Sequence, residues 1–218
     1  MNRLIVSRAP EHGVSGPSST GGIADIVRPM PIAVHAPSSV ELAVLLSELH
    51  ALELTYAQVG DTANAELPAG YHHLRRRTSI GDGELVWQRA KAGLRRWRGH
   101  EFAGMTITPR YAPLEVGSTL IATRRLGLLV VIAPCRIVST TDRADRFGFA
   151  YGTLPGHLAV GEERFLIERA IDGTVSFEIT AFSRPAATIT RLGGPLGRAL
   201  QARITGNYLE GLRRFASA

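Results

Sequence analysis

The chain has 218 residues, of which 44% are hydrophobic, and this is enough to bury the core of one sizeable domain. Its formal net charge is +6, but the arginines are scattered along the whole chain without a long basic tract, which argues against nucleic-acid binding. The single cysteine excludes an internal disulfide, and no stretch reaches the roughly 18 uninterrupted apolar residues of a membrane span, so we expect a cytoplasmic protein without stable membrane insertion.

The N-terminal part of the chain divides into an irregular leader and a folded body. Residues 1–37 are rich in Gly, Pro and Ser and have no sustained period, which predicts a loosely ordered extension in front of a single domain at 38–218. Ser38 and Glu41 have the spacing of a capping box, and the apolar residues that follow predict a helix over about 39–52. The segment at 55–60, TYAQVG, alternates and predicts the first strand.

A second helix is predicted after the turn at residues 81–83. Its apolar stripe consists of Val86, Ala90, Leu94 and Trp97. His72 and His73 precede this turn, and neighbours in a strand point to opposite faces, so they make a poor metal pair. The sequence therefore indicates no metal and no cofactor.

The middle of the chain is rich in strands. Two short strands are predicted around Pro113, followed by a long strand interrupted at Pro134. Three consecutive antiparallel strands are then predicted between Arg146 and Pro185, because apolar residues recur there at every second position. The dipeptide Asp172-Gly173 marks the hairpin between the last two.

The residue of this region whose position most needs explaining is Glu163. Extending the alternation backwards from Phe165 and Ile167 places Gly161 and Glu163 on the same apolar face. Burying a carboxylate costs several kcal/mol unless it is paired, protonated or turned to a cavity. Glu163 is therefore either a ligand contact or acid/base group, or an edge residue that is hydrated or paired with an arginine.

The chain closes with a long helix. Pro195 suits its first turn, and one apolar stripe runs through Leu196, Leu200, Ile204, Tyr208, Leu212 and Phe215. A strand-rich middle must bury its apolar face, and this helix is the natural cover. We therefore predict an α+β fold in which a curved antiparallel sheet wraps around the long C-terminal helix.

Several segments resemble a known family. FGFAYGTLPGH at 147–157, GEERF at 161–165, AFSRP at 181–185 and LGGPLGRALQ at 192–201 together resemble the bacterial and plant proteins of domain of unknown function 1990, over about residues 50–216. That family in turn resembles, more distantly, the START-like or polyketide-cyclase-like superfamily. This implies a helix-grip fold with a hydrophobic cavity between sheet and helix, and it implies no catalytic residues.

The leading functional hypothesis is a module that binds a small hydrophobic or amphipathic molecule, such as a lipid, isoprenoid or polyketide. Pockets of this kind are mostly apolar with a few directing polar groups. The candidate lining residues are Phe147, Phe149, Tyr151, Glu163, Phe165, Phe177, Ile179, Ile204 and Tyr208. For the apolar members, plain core packing without a cavity is an equally good reading.

Two alternatives remain open. The first is an enzyme of cyclase, dehydratase or hydrolase type, with Glu163 as general acid or base and Tyr151 and His157 as hydrogen-bond donors or a proton relay. His157 follows a Pro-Gly turn, where an exposed or structural histidine is common. The second is an interaction module that docks on a partner through its arginine-rich face or through residues 1–37.

Overall fold

A computed structural model describes residues 32–186 and 194–218 of the chain, without the side chains of residues 194–200. Most of the predicted N-terminal extension therefore lies outside the described residues, as do the side chains of Leu196 and Leu200 at the start of the predicted helical stripe. Within the described ranges no helix has the length and apolar character needed to span a membrane.

The described elements are eight strands and four helices. They are β1 (Ile32–Ala33), α1 (Ser39–Leu49), β2 (His72–Asp82), α2 (Gly83–Arg95), α3 (Arg98–Phe102), β3 (Met105–Thr108), β4 (Thr119–Leu126), β5 (Leu129–Asp142), β6 (Arg146–Thr153), β7 (Ala159–Arg169), β8 (Thr174–Pro185) and α4 (Gly194–Ser217), with a short 3-10 helix at Asp61–Ala63. The strands form one antiparallel sheet in the order β2-β8-β7-β6-β5-β4-β3, and β1 pairs with β5. The prediction of a curved antiparallel sheet with a long C-terminal helix is confirmed.

The main core lies between the concave face of the sheet and helices α2, α3 and α4. Strand residues at every second position enter it, among them Phe149, Phe165 and Phe177, each at most 2% exposed. Tyr208 and Leu212 of α4 are buried against them. The predicted packing of α4 on the sheet is confirmed, and burying this much aromatic surface is the main stabilising contribution of the fold.

The convex face is covered by α1. Ser38 and Glu41 form the predicted capping box, in which the Glu41 amide donates to Ser38 Oγ at 3.2 Å and the Ser38 amide donates to Glu41 Oε2 at 2.7 Å. At the other end the Arg136 guanidinium donates to the carbonyl of Leu49 at 2.7 Å, which satisfies a helix-terminal acceptor. The side chain of Leu49 packs on Ile121 of β4.

The prediction of a first strand at residues 55–60 is wrong. These residues form no strand; together with the 3-10 helix they are anchored by one buried side chain, Glu162 of β7. Tyr56 Oη donates to Glu162 at 2.8 Å, and the amides of Gly60 and Thr62 donate at 2.7 and 3.2 Å. The Glu162 carboxylate thus accepts hydrogen bonds from backbone amides that, in a strand, would have paired with a neighbouring strand.

The strand that follows α1 is β2, later in the chain than the predicted one, and it lies at the edge of the sheet beside β8. Its sequence hides the alternation, because Leu74 and Ile80 face the core while the arginines between them are exposed. Strand β5 also differs from the prediction, since it continues through Pro134. This proline falls between the residues that pair with β1, which end at Val131, and those that pair with β6, which begin at Cys135. The missing N–H of Pro134 therefore costs little stability on the edge of β5 that pairs with β1 and β6.

The contact between α3 and α4 provides a direct test of the helix packing. A Cβ at Gly211 would lie 2.4 Å from Phe102 Cβ, whereas a Cβ at Gly206 in the same helix would meet nothing within 4 Å. We expect Gly206→Ala to raise the free energy of unfolding by about 0.5–1 kcal/mol through helix propensity. We expect Gly211→Ala to lower it by about 1–3 kcal/mol through overpacking. Urea denaturation of both variants measures this, and equal stabilisation by the two would contradict the described contact.

Candidate functional site on the concave face

The structure places Glu163 on the concave face, as the alternation predicts. Its position in β7 is opposite Tyr151 of β6 and Ala181 of β8, and the side chain is partly buried. Tyr151 Oη donates a hydrogen bond to Glu163 Oε2 at 2.8 Å. The carboxyl therefore sits among aromatic rings with a phenol as its hydrogen-bond partner.

No cation among the described residues compensates this carboxyl. None of the ion pairs among the described residues includes Glu163. Burial raises the pKa of Glu163 to about 7, although the hydrogen bond from Tyr151 opposes the rise. Near neutral pH the group is therefore present in both protonation states, and it can donate or accept a hydrogen bond.

His100 of α3 and Tyr208 of α4 complete a polar cluster around the Tyr151 hydroxyl. His100 Nε2 lies 3.3 Å from Tyr151 Oη, and the His100 and Tyr208 rings are 4.5 Å apart. Burial lowers the pKa of His100 to about 3, so its imidazole is neutral at physiological pH. At neutral pH the imidazole and the two phenols of this cluster are therefore uncharged, because burial also raises the pKa values of Tyr151 and Tyr208.

His100 is brought here by the break between α2 and α3. Trp97 adopts a left-handed backbone, φ +57°, and its indole N–H donates to the carbonyl of Ala112 at 2.9 Å. A bulky residue in this conformation is strained, and its buried ring contacts, with Phe149 at 4.9 Å and His100 at 4.8 Å, hold it there. Sequence reasoning missed His100, because a lone histidine in a short helix after a backbone break has no periodic signal.

Beside this cluster the concave face of β5 is incompletely covered. Val131 and Ala133 point to this face and are partly exposed, whereas Ile132, on the convex side, is buried. Ala122 of β4 pairs with Ala133, so the local side chains are small. The partly exposed surface around Val131 and Ala133, which we call the groove, is therefore the open part of the concave face of β5. Cys135, further along β5, is buried, and burial and the charge of Glu163 raise the pKa of its thiol.

The remaining residues proposed from the sequence fall into three groups. Phe149, Phe165, Phe177, Ile179 and Tyr208 are buried in the main core, with Ile204 partly buried against it. Phe147 is buried in the same core and also has the Arg95 guanidinium 4.4 Å from its ring centroid. His157 is bound to its own turn, where Nδ1 accepts from the Ala159 amide at 2.9 Å; burial lowers its pKa to about 4.

Two surface clefts occur elsewhere. One, of about 460 Å³, lies between residues 65–67 and 73–75. The other, of about 340 Å³, lies between the α2–α3 junction and β3, with Trp97 and Met105 in its wall. Met105 Sδ accepts the Tyr208 hydroxyl at 3.1 Å, so this second cleft is separated from the polar cluster by one side chain. Among the described residues no His, Cys, Asp and Glu side chains form a metal-binding group.

This chain has an antiparallel sheet that wraps around a C-terminal helix, and a polar cluster lies on the concave face of the sheet. The architecture is the helix-grip fold. Among solved structures, a hypothetical protein of Helicobacter pylori superimposes with a TM-score of 0.50 at 10% identity, covering 66% of this chain and 88% of that one. The Streptomyces aromatase/cyclase Zhui gives a TM-score of 0.48 at 13% identity, covering 67% and 94%.

The chain belongs to the family described as domain of unknown function DUF1990, whose model matches residues 55–211. A UPF0548 protein of Deinococcus radiodurans is 35% identical over 193 residues, 83% of this chain and 96% of that protein. A UPF0548 protein of Arabidopsis thaliana is 30% identical over 148 residues, 65% of this chain and 72% of that protein. The resemblance of the sequence motifs to the domain of unknown function 1990 family is confirmed.

The Glu163 site makes stability depend on pH. Its pKa is raised on folding, from the ordinary 4.5 to about 7, so its contribution is fully present below pH 4.5 and is lost as pH rises through 7. We therefore expect the free energy of unfolding of Glu163→Gln, relative to that of the wild type, to increase between pH 5 and pH 8 by up to about 3 kcal/mol. The histidine contributions are common to both proteins and cancel in this difference.

The measurement is urea denaturation of wild type and variant at a series of pH values. Glu168→Gln is the matched control, because Glu168 is on the same strand but forms ion pairs with Arg77 and Arg146. Parallel pH profiles for wild type and Glu163→Gln would contradict the described environment of Glu163.

Proposed function

We propose that this protein binds a small hydrophobic or amphipathic molecule in the groove between the concave face of the sheet and α4. The observation that carries the proposal is the Glu163 carboxyl: it is desolvated, forms no ion pair with any residue of 32–186 or 201–218, and is not fully covered. A buried acid that stabilises nothing by ion pairing is costly to keep, and such groups cluster at functional sites.

The surroundings of Glu163 support a ligand of this class. Ala122, Ala133 and Cys135 offer a floor of small apolar side chains, and the partly buried Ile204 of α4 lies above the core. The directing polar groups are at one end, where Glu163 and Tyr151 are hydrogen-bonded. A mostly apolar surface with a few convergent polar groups is the usual composition of a small-molecule site.

The inner part of the concave space is not available to a ligand. The rings of Phe149, Phe165 and Tyr208 fill it, with centroids 5.1 Å apart for the first pair and 5.4 Å apart for the second. The proposed ligand therefore occupies the open side over β4 and β5, and Phe147, Phe177 and Ile179 act as core and not as lining.

Catalysis on the bound molecule is a second candidate function. It is favoured by the pKa of Glu163, about 7, because an acid/base group works best when its pKa is near the operating pH. Tyr151 donates to this carboxyl and lies beside the neutral His100, which gives a path for a proton between three groups. His157 is not included in this proposed path, because among the described residues it forms no hydrogen bond with Glu163, Tyr151 or His100; its Nδ1 accepts from the Ala159 amide.

The experiment for the ligand-binding proposal is native mass spectrometry of protein freshly purified from its own host, combined with titration by the uncharged probe N-phenyl-1-naphthylamine. We expect a defined small-molecule adduct that is released on denaturation, and saturable one-to-one binding of the probe after its removal. Absence of both the adduct and saturable probe binding would contradict the proposal.

The groove itself is tested by filling it. Ala133→Phe places a large ring on the concave side of β5, and we expect probe affinity to fall at least tenfold because the space is occupied. Thr140→Phe is the control, since Thr140 is an exposed residue of the same strand. Unchanged affinity in a folded Ala133→Phe protein would place the probe elsewhere. For the enzyme candidate, turnover of the co-purified molecule should require both Glu163 and Tyr151.

A further inference from the structure

A second charged residue enters the concave side of the sheet. Arg124 of β4 alternates in register with Leu120 and Ala122, both of which are buried in the main core. It pairs with Met105 of β3 and Val131 of β5. Arg124 therefore lies beside the partly exposed surface of Val131 and Ala133, one cross-strand row beyond the Ala122–Ala133 pair.

The guanidinium of Arg124 has no partner among the described residues. Its Nη1 is inaccessible to solvent and makes no hydrogen bond, and Arg124 takes part in none of the ion pairs there. Buried polar atoms are nearly always satisfied in native structures, and a charged donor without an acceptor is the costliest exception. The Nη1 atom of this partly exposed side chain is therefore a donor available to a bound group.

The positions of Arg124 and Glu163 are complementary. Along β5 the row of Arg124 is at Val131 and the row of Tyr151 and Glu163 is at Ile137, six residues or about 20 Å away. Between them on the concave side of β5 are Ala133, which is partly exposed, and Cys135, which is buried. Tyr208 lies between the two groups: burial and the charge of Glu163 raise its pKa, and Arg124 opposes the rise.

We infer that the ligand is an amphipathic molecule with an anionic oxygen group, such as a carboxylate or phosphate, which accepts hydrogen bonds from Arg124 while its apolar body lies over Ala122 and Ala133. A planar guanidinium with five donors is well suited to bind such a group, and the pair is stronger because the site is partly desolvated. Glu163, partly protonated at neutral pH, contacts the far end of the molecule without repelling its charge. This inference rests on the proposed function and narrows its ligand class.

The test compares two probes that share a naphthylamine body. 1-Anilinonaphthalene-8-sulfonate carries an anion and N-phenyl-1-naphthylamine does not. In Arg124→Met we expect the affinity for the sulfonate to fall at least tenfold and the affinity for the uncharged probe to stay within twofold of wild type. Arg125→Met is the matched control, because Arg125 is exposed and points to the opposite face; it should leave both affinities unchanged.

Three outcomes would count against the inference. Equal binding of both probes by Arg124→Met and wild type overturns the anion role and leaves the groove intact. Equal loss of both probes means that Arg124 maintains the fold, and this also overturns the role. Failure of wild type to bind either probe contradicts the proposed function itself, and the inference with it.

Stability and displacement give independent readouts. Arg124→Met without ligand should be at least as resistant to urea as wild type, since it removes an unsatisfied buried charge; a destabilised variant would indicate a structural arginine. Displacement of the sulfonate probe by 1-naphthoate and 1-naphthyl phosphate distinguishes carboxylate from phosphate recognition. Displacement by neutral 1-acetylnaphthalene as tight as by either anion would overturn the inference.

Discussion

The hydrogen bond between Tyr151 and Glu163 is the interaction on which the rest of the site depends. It joins two central strands of the sheet on the side that α4 covers, and it is made by a carboxyl that has no ion-pair partner in the part of the chain that the structure describes. The neutral His100 and the Tyr208 hydroxyl surround it without supplying the missing charge. The core around it is closed by packed aromatic rings such as Phe149 and Phe165, so this carboxyl is an ionisable group within an otherwise apolar face.

Glu162, which precedes Glu163 in β7, is also a carboxylate in the sheet but has a different environment. Glu162 and Glu163 are adjacent in β7, so their side chains leave the sheet on opposite faces. Glu162 receives four hydrogen bonds from Tyr56, Gly60 and Thr62, and in return holds the segment before β2 on the convex face. Its burial is compensated and its role is structural. Glu163 receives one hydrogen bond from a phenol, and its burial is not compensated in this way.

Sequence reasoning found the parts of the fold whose pattern is local. The capping box at Ser38, the alternation of β6 to β8 and the stripe of α4 each depend on spacing within one element, and each predicted element is present. The face of Glu163 followed from the same alternation. Residues joined by tertiary structure were not predictable in this way: the anchoring role of Glu162 depends on a segment a hundred residues earlier, and His100 reaches Tyr151 through a helix break at Trp97. Arg124 was indistinguishable from the other arginines until its strand register was known.

The Glu163 carboxyl is desolvated on the concave face and has no ion-pair partner among the described residues. The most direct measurement is a pH titration of its side-chain carboxyl carbon by NMR in the ligand-free protein, assigned by comparison with Glu163→Gln. The structure predicts a midpoint of about 7, because burial outweighs the hydrogen bond from Tyr151. A midpoint near the ordinary glutamate value of 4.5 would mean that water or a cation compensates the charge, and would contradict the account.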